Sequence, residues 1–136
     1  MGAGYPRRLG GMAVAVVGTL LVTLGARRVV RVEVGGTSMV PALEPGDAVV
    51  AVAGLAARPG QVVAVHDPRD RDRLLVKRVV AVEPGGSLVV AGDNLAASTD
   101  SRTFGPVAPA LVAGRVMWRY RPRHRRGPVG RAGRWG

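Results

Sequence analysis

Gly35-Gly36-Thr37-Ser38-Met39-Val40-Pro41-Ala42-Leu43 and Leu74-Leu75-Val76-Lys77-Arg78-Val79-Val80 are the two segments that decide how this chain folds. The first places a serine on a glycine-rich turn that closes with proline, which is a strong signal for a loop. The second is a continuous apolar run with β-branched residues, typical of a buried strand, and it contains a lysine. We therefore expect the loop and the strand to belong to one β-rich core.

Lys77 is the single lysine among 20 lysines and arginines. An arginine does not lose its proton in a protein, whereas a buried amine can. On a strand, its neighbours on the same face are Leu75 and Val79, and desolvation of this kind can lower a lysine pKa by roughly 3 units. A neutral amine can take the proton of a serine hydroxyl, so the residues favour Ser38 as nucleophile and Lys77 as base. Composition alone leaves open the alternative that Lys77 is an ordinary surface residue.

The rest of the chain reads as short apolar segments between glycine- and proline-rich turns. Hydrophobic residues make up 47% of the 136 residues, with few aromatics, a composition that favours strands. Strands are predicted over residues 29–34, 48–53, 61–65, 74–82, 87–91 and 111–120, with a hairpin joining the fourth and fifth. The fold class is therefore predicted to be mostly β, with one domain over residues 29–121.

An uncharged stretch of 18 residues, 9–26, lies between Arg7-Arg8 and Arg27-Arg28. As a helix it would be about 27 Å long, close to the roughly 30 Å of a bilayer core. We therefore predict an N-terminal transmembrane helix, with residues 1–28 as a single-pass membrane anchor. A cleaved signal peptide is less favoured because Leu24 would occupy a position that requires a small residue, and four glycines suit a buried soluble helix poorly. The flanking arginines do not favour a cytoplasmic N-terminus.

The formal net charge of +11 is concentrated near the C-terminus, because Asp100 is the last acidic residue. Residues 122–136 are rich in Arg, Gly and Pro and lack apolar periodicity, so they are predicted to form a disordered basic tail. Near a bilayer such a tail could bind anionic lipid headgroups; a solvated tail without a partner is the alternative. No nucleic-acid partner is expected, since the charge is not spread over the whole surface.

Cysteine is absent, which excludes disulfides and thiolate metal sites. The two histidines, His66 and His124, are too isolated in the sequence for a metal cluster. No cofactor and no metal are predicted.

Four separated motifs, in order, resemble those of the type I signal peptidase family. Residues 36–43 resemble the nucleophile motif, with Gly46-Asp47 following, and Pro59-Gly60-Gln61-Val62-Val63 resembles a strand motif in which Gln61 replaces the usual Asp. Residues 75–79 resemble the motif of the base. Gly92-Asp93-Asn94, then Ser98 and Asp100-Ser101-Arg102, resemble the final motif at the family spacing. The resemblance covers roughly residues 32–109 and implies a compact signal-peptidase-like β domain.

The resemblance implies a role for each matching residue. Ser38 would attack the scissile carbonyl, Lys77 would be the general base, and Ser98 would orient the Lys77 amine. The Ser38 backbone N–H would contribute to the oxyanion hole, because Gly36 stands where some members carry a Ser or Thr donor. Structural roles in the final motif would fall to Gly92, Asp93, Asn94, Asp100 and Arg102. Val34, Met39 and Val76 would line a shallow apolar groove that accepts small residues before the cut.

The implied activity is that of a membrane-anchored serine endopeptidase that removes signal peptides or propeptides after small residues, in an Ala-x-Ala pattern. Its partners would be precursor proteins and membrane lipid, with the catalytic domain on the extracytoplasmic face. The short length resembles the compact branch, which includes mitochondrial inner-membrane peptidases and maturation peptidases of nickel-type superoxide dismutase. A dedicated peptidase for one such precursor is therefore an alternative.

Two other hypotheses compete with this one. A self-cleaving repressor-like domain shares the serine–lysine chemistry, but it is expected to lack the membrane segment and the Gly-Asp-Asn motif. A non-catalytic basic module that binds lipid or nucleic acid would leave Ser38 and Lys77 structural. Removal of residues 123–136 distinguishes the peptidase from the basic binding module. A peptidase is expected to keep its turnover without a disordered tail.

Overall fold

The computed structural model describes residues 16–24 and 27–130, with side chains described from Arg27 onward. Its centre is an eight-stranded antiparallel sheet. The strands are β1 (Val16–Leu24), β2 (Arg27–Glu33), β3 (Ala48–Val52), β4 (Val62–Asp67), β5 (Asp70–Val82), β6 (Leu88–Ala91), β7 (Val112–Arg121) and β8 (Gly127–Pro128). The prediction of a mostly β protein is confirmed, including the hairpin of β5 and β6.

The order of strands in the sheet is β1-β2-β3-β7-β4-β5-β6, and β8 pairs with β7. The segment between β2 and β3 carries Ser38, and β5 carries Lys77. β7 and β4 lie between β3 and β5 in the sheet. The loop that carries Ser38 and the strand that carries Lys77 are thus distant along the sheet, and curvature of the sheet has to bring them together.

The connection after β6 is folded rather than open. It contains a 3₁₀ turn at Leu95–Ala97, the short helix α1 (Ser101–Phe104) and a second 3₁₀ turn at Pro109–Leu111. Asp100 caps α1, because its side chain accepts a hydrogen bond from the Arg102 N–H. Val107 pairs with Leu88 in an isolated bridge, which fixes the far end of the connection to β6.

The prediction of a helix from residue 9 to 26 is wrong over Val16–Leu24. That segment forms β1 and pairs with β2, from Val16 opposite Glu33 to Leu24 opposite Arg27. An apolar run rich in Val and Thr suits a strand, and its apolar character alone did not distinguish the two structures. The remainder of the predicted span, residues 9–15, 25 and 26, lies outside the described residues. Within the described part of the chain, no helix is long and apolar enough to cross a membrane.

The prediction of a disordered tail is wrong for residues 122–130. These residues form a 3₁₀ turn at Arg123–Arg125 and the strand β8, which pairs with β7. Their order comes from backbone pairing and from ion pairs with Asp47 and Glu44, neither of which requires apolar periodicity. Residues 131–136 lie outside the described residues.

Two apolar clusters fill the interior. One contains Val32, Val34, Met39, Leu43 and Val76, among others. The other contains Val63, Leu75 and Val79. Consecutive residues of β5 alternate between the two clusters, so this strand is buried on both faces from Leu74 to Val79.

Candidate active site

Ser38 is held on a loop anchored by its neighbours. Met39 and Leu43 are almost fully buried, with 1% and 0% of their surface exposed. The Leu43 N–H donates to the Met39 carbonyl at 2.9 Å, closing one turn of backbone. Ser38 itself is half-buried. The loop therefore presents its hydroxyl at the edge of the core, and the segment that follows Ser38 is fixed by apolar packing.

Lys77 lies in the middle of β5 with only 4% of its surface exposed. It pairs with Val63 of β4, and its same-face neighbours on the strand, Leu75 and Val79, belong to the same apolar cluster as Val63. Burial of a long amine among apolar side chains disfavours its charged form.

The structure brings the Lys77 amine to two serine hydroxyls. Lys77 Nζ is 3.0 Å from Ser38 Oγ and 3.1 Å from Ser98 Oγ. Ser38 and Ser98 come from different parts of the chain, and the amine lies within hydrogen-bond distance of both. This is the reach that proton transfer from one hydroxyl requires.

Asp100 anchors Ser98 on the side away from Lys77. The Ser98 hydroxyl donates to Asp100 Oδ2 at 2.7 Å, and the Gly92 N–H donates to the same oxygen at 3.0 Å. Arg102 forms an ion pair with Asp100, Nε to Oδ1, at 2.8 Å. Burial would raise the pKa of the Asp100 carboxyl, but hydrogen bonds from Arg102, Ser98 and the Gly92 N–H together lower it to about 2. Asp100 therefore stays ionised and accepts the hydrogen bond from the Ser98 hydroxyl.

The Gly92-Asp93-Asn94 turn joins the Ser98 segment to the nucleophile loop. The Asn94 N–H donates to the Ser38 carbonyl at 2.8 Å, and its side-chain amide donates to the Thr37 carbonyl at 3.2 Å. Asp93 forms an ion pair with Arg78 at 2.7 Å. Gly92 has no room for a side chain, because an added Cβ would collide with Ser98 Oγ and lie 2.6 Å from the Ser38 carbonyl oxygen. The turn thus sets the distance between the two serines.

Burial lowers the pKa of the Lys77 amine from 10.5 to about 8. The negative charges of Asp100 and Asp67 act in the opposite direction, and Arg102 and Arg73 reinforce the lowering. Near neutral pH a substantial minority of molecules therefore carries an uncharged amine, about one in ten at pH 7.

A shallow pocket opens beside the serine–lysine pair. Val34, Met39 and Val76, the predicted groove residues, are among the residues that line it, together with Gly36 and Leu74. All three also pack into the core cluster described above. Within the described part of the chain, the Ser38 backbone N–H donates to no protein acceptor, so this donor is available to a bound group.

Sequence reasoning missed two features of this site. It gave Asp100 only a structural role, whereas the carboxylate also accepts a hydrogen bond from the Ser98 hydroxyl. It also gave no role to the link from Asn94 to the nucleophile loop. The i to i+2 spacing of Ser98 and Asp100 was visible in the sequence, but the direction of each side chain was not.

The fold and site together define a mostly β protein with a buried amine hydrogen-bonded to two serine hydroxyls. The sequence profile described as signal peptidase, peptidase S26, matches residues 8–86 and 83–121. The chain therefore belongs to the signal peptidase family S26, a family of peptidases, and the resemblance to type I signal peptidases is confirmed.

Relatives at about one-third identity are subunits of mitochondrial inner membrane proteases. Mitochondrial ATP-independent inner membrane protease subunit 1b of Arabidopsis thaliana is 32% identical over 121 residues, covering 70% of this chain and 72% of the relative. Subunit 1a of the same organism is 35% identical over 115 residues, with coverages of 65% and 68%. Mitochondrial inner membrane protease subunit 2 of Danio rerio is 32% identical over 148 residues, with coverages of 85% and 80%. These relatives lie in the compact branch that the chain was predicted to resemble.

Proposed function

We propose that this protein is a serine endopeptidase that removes signal peptides or propeptides after small residues, with Ser38 as nucleophile and Lys77 as general base. The observation that carries the proposal is the 3.0 Å distance between Lys77 Nζ and Ser38 Oγ in an environment that lowers the pKa of the amine. Membership of the S26 family supports peptide hydrolysis as the reaction.

The hydrogen bonds around Ser98 give the amine a direction. Because the Ser98 proton is donated to Asp100, the Ser98 oxygen has lone pairs available for an N–H of Lys77. A neutral amine that donates to Ser98 can direct its own lone pair toward the Ser38 hydroxyl. Orientation of a base by a third group is the logic of serine–histidine–aspartate triads as well.

In the reaction, the neutral Lys77 amine takes the Ser38 proton while Ser38 Oγ bonds to the scissile carbonyl carbon. The resulting ammonium returns that proton to the leaving amine as the peptide bond breaks, which leaves an ester on Ser38. Lys77, neutral again, then takes a proton from water as the water oxygen attacks the ester. It returns that proton to Ser38 Oγ as the ester C–O bond breaks, which releases the new carboxyl group and regenerates both residues. The Ser38 N–H, which donates to no acceptor among residues 27–130, stabilises the negative oxygen in both steps.

Val34, Met39 and Val76 would set the preference for small residues. They line the pocket beside Ser38 and are held in place by core packing, so the pocket cannot widen without disturbing the core. Alanine fits such a depression, whereas a leucine needs space that the core does not release.

The protein would act at a membrane. The relatives are named as inner membrane proteases, and precursors with signal peptides are inserted in or near a bilayer. Arg121, Arg123 and Arg126 are exposed. Each would contribute about 1 kcal/mol of attraction to an anionic lipid surface.

The test is cleavage of a peptide with alanine at the first and third positions before the bond, followed by mass spectrometry of the products. We expect a single cut after the second alanine, and no cut when leucine replaces either alanine. Equal cleavage of the alanine and leucine peptides would contradict the proposed specificity. In a strain depleted of the protein, the precursors that accumulate would show whether one substrate or many are processed.

The rate of the same reaction is expected to rise with pH and level off above about 8, where Lys77 becomes neutral. The sign follows from the lowered pKa: the active base is the deprotonated amine, so activity is lost as pH falls through that value. A rate that still climbs at about pH 10, the range of an ordinary lysine, would show that the base is not desolvated.

Ser98→Ala is expected to reduce kcat by about 10- to 100-fold, less than the roughly 10²- to 10⁴-fold that a proton-transfer partner contributes, because Ser98 orients the base and does not transfer the proton itself. The amine would keep its contact with Ser38 but lose the group that fixes its direction. Steady-state kinetics on the alanine peptide measure the effect. Ser98→Thr, which keeps the hydroxyl, serves as the control. Full activity of Ser98→Ala would remove this residue from the mechanism.

A further inference from the structure

The segment that follows β7 folds back over the domain. After one 3₁₀ turn at Arg123–Arg125, β8 pairs with β7, with Gly127 opposite Arg119 and Pro128 opposite Trp118. The Val129 N–H then donates to the Met117 carbonyl at 3.3 Å. We call residues 122–130 the C-terminal strap.

One end of the strap is tied to Asp47, at the base of the nucleophile loop. Arg125 Nη2 donates to Asp47 Oδ2 at 2.9 Å, and the Asp47 side chain is only 3% exposed. The same carboxylate oxygen accepts the Glu44 N–H at 2.9 Å and lies 3.5 Å from Arg119 Nη1. A buried carboxylate needs a cation, and Arg125 supplies the closest one.

Asp47 closes the loop that carries Ser38. The Val34 N–H donates to the Asp47 carbonyl at 2.8 Å, and the Gly46 N–H donates to the Val34 carbonyl at 2.8 Å. Residues 35–45 therefore form a loop that is closed at its base by these two hydrogen bonds, and Arg125 binds the buried Asp47 side chain at that base. Movement of Asp47 would be transmitted to the loop and hence to Ser38.

The other end of the strap is tied to the strand that carries Lys77. The Gly130 carbonyl accepts a hydrogen bond from Arg78 Nη1 at 2.9 Å. Arg78 follows Lys77 directly and is 3% exposed, and its guanidinium also binds the Gly60 carbonyl and Asp93. Between the two ends, Val129 packs against the apolar cluster that contains Val34, Met39 and Val76.

We propose that the C-terminal strap is a positioning element that holds the Ser38 loop and the Lys77 strand in register across the sheet. The inference rests on the proposed function, since it assigns residues 122–130 to the geometry of that serine–lysine pair. The loop and β5 are separated in the sheet by β7 and β4, and the strap contacts both sides of this gap. Arg125 and the Gly130 carbonyl make its contacts with the two sides, and Val129 packs against the apolar cluster between them.

This assignment reverses the expectation drawn from sequence for the basic end of the chain. A disordered tail could be removed without loss of turnover. A strap cannot, because Asp47 would lose its nearest cation and the apolar cluster would lose its contact with Val129. The Ser38 loop would then be free to move away from Lys77, which would open the amine to water, and the distance between the two groups would no longer be fixed.

The first test compares two shortened forms of the full chain. One ends at Gly130 and keeps the strap; the other ends at Arg121 and lacks it. We expect the chain ending at Gly130 to have the same kcat as the full chain. We expect the chain ending at Arg121 to lose about 10- to 100-fold in kcat, the scale of effect that misplaced reacting groups produce.

A second readout does not depend on activity. Because Lys77 is the single lysine of the chain, protein labelled with ¹³C-lysine gives one side-chain signal whose titration can be followed by NMR. In the full chain and the chain ending at Gly130 this signal is expected to titrate near pH 8. Without the strap the midpoint is expected to move toward 10.5, the ordinary value. A change that only lowered overall stability would leave the titration of the folded protein unmoved.

Point substitutions remove the ion pair while retaining the length of the chain. The double variant Asp47→Asn with Arg125→Ala removes the pair without leaving a buried carboxylate unpaired. Arg123→Ala is the matched control, since it removes one positive charge from the same turn, and its side chain has no ion pair or hydrogen bond within residues 27–130. We expect the double variant, but not the control, to lower kcat and raise the Lys77 midpoint. If the chain ending at Arg121 fails to fold, the comparison of the double variant with Arg123→Ala tests the role of the strap instead.

Each outcome has a distinct meaning. An unchanged kcat and an unchanged Lys77 titration midpoint in the double variant would overturn the positioning role proposed for the strap. Equal losses of kcat in the two shortened chains would also overturn it, because the length of the chain would then be the cause. Equal losses of kcat in Arg123→Ala and the double variant would overturn it as well, because the loss of positive charge would then be the cause. If the full chain shows no cleavage that depends on Ser38, the proposed function fails. The Lys77 titration still decides whether the strap holds the amine in its desolvated place.

Discussion

Lys77→Arg is expected to reduce kcat by about 10⁴-fold or more, the scale of loss found when a member of a catalytic triad is removed. Arginine keeps the positive charge and much of the length of lysine, but its guanidinium does not deprotonate in proteins. It therefore cannot take the Ser38 proton from the position where Lys77 Nζ now lies, 3.0 Å from Ser38 Oγ. Cleavage of the alanine peptide by purified variant measures the loss. Retained turnover would overturn the mechanism.

Lys77→Met serves as the control for folding. In the folded protein the pKa of Lys77 lies near 8, below its ordinary 10.5, so the unfolded chain binds more protons between those values. Stability contributed by this group therefore rises with pH across that window, and below pH 8 the folded state carries a penalty of about 3 kcal/mol. Methionine avoids this penalty. We expect Lys77→Met to be at least as stable as the wild type at pH 7 in thermal melting, and inactive.

Ser38→Ala is expected to lower kcat by a similar factor, about 10⁴-fold or more. The change deletes the atom that bonds to the scissile carbonyl but leaves the backbone N–H and the pocket in place. Binding of the peptide should therefore persist while turnover is lost. Measuring the affinity of the alanine peptide by calorimetry, beside its cleavage rate, separates the two effects.

Ser87→Ala provides the control for Ser38→Ala, since it removes a hydroxyl from the turn before β6, away from Lys77. Its kcat should match that of the wild type. Cleavage by Ser38→Ala at a rate within a few fold of the wild type would assign the nucleophile to another group.

Under the proposed mechanism, the desolvation of Lys77 sets stability against function at this site. The same burial among Leu75, Val79 and Val63 that lowers the pKa of the amine also makes its charged form costly. Asp100 and Asp67 offset part of that cost through their negative charge. The resulting value, near 8, leaves the amine basic enough to accept a proton and neutral often enough to do so.

The two wrong predictions have different physical causes. The N-terminal apolar run was assigned to a helix on length and lack of charge, yet Val16–Leu24 pairs with β2. Apolar character is shared by helices and strands, and the available pairing partner decided the outcome. The C-terminal segment was assigned to disorder on composition, but Arg125 meets Asp47, a residue 78 positions earlier. Composition carries no information about a partner so distant in the chain.

Sequence alone determined the β-rich class, the hairpin of β5 and β6 and the family, and it proposed Ser38, Lys77 and Ser98 as the candidate site, because alternation, turn residues and motif spacing are local properties of the chain. Only the tertiary structure decided that Lys77 lies between Ser38 and Ser98 and that Asp100 accepts a hydrogen bond from the Ser98 hydroxyl. The same is true of the contacts that residues 122–130 make with Asp47 and Arg78. Those contacts depend on how distant strands are arranged in the sheet and on the directions of individual side chains, which no local pattern specifies.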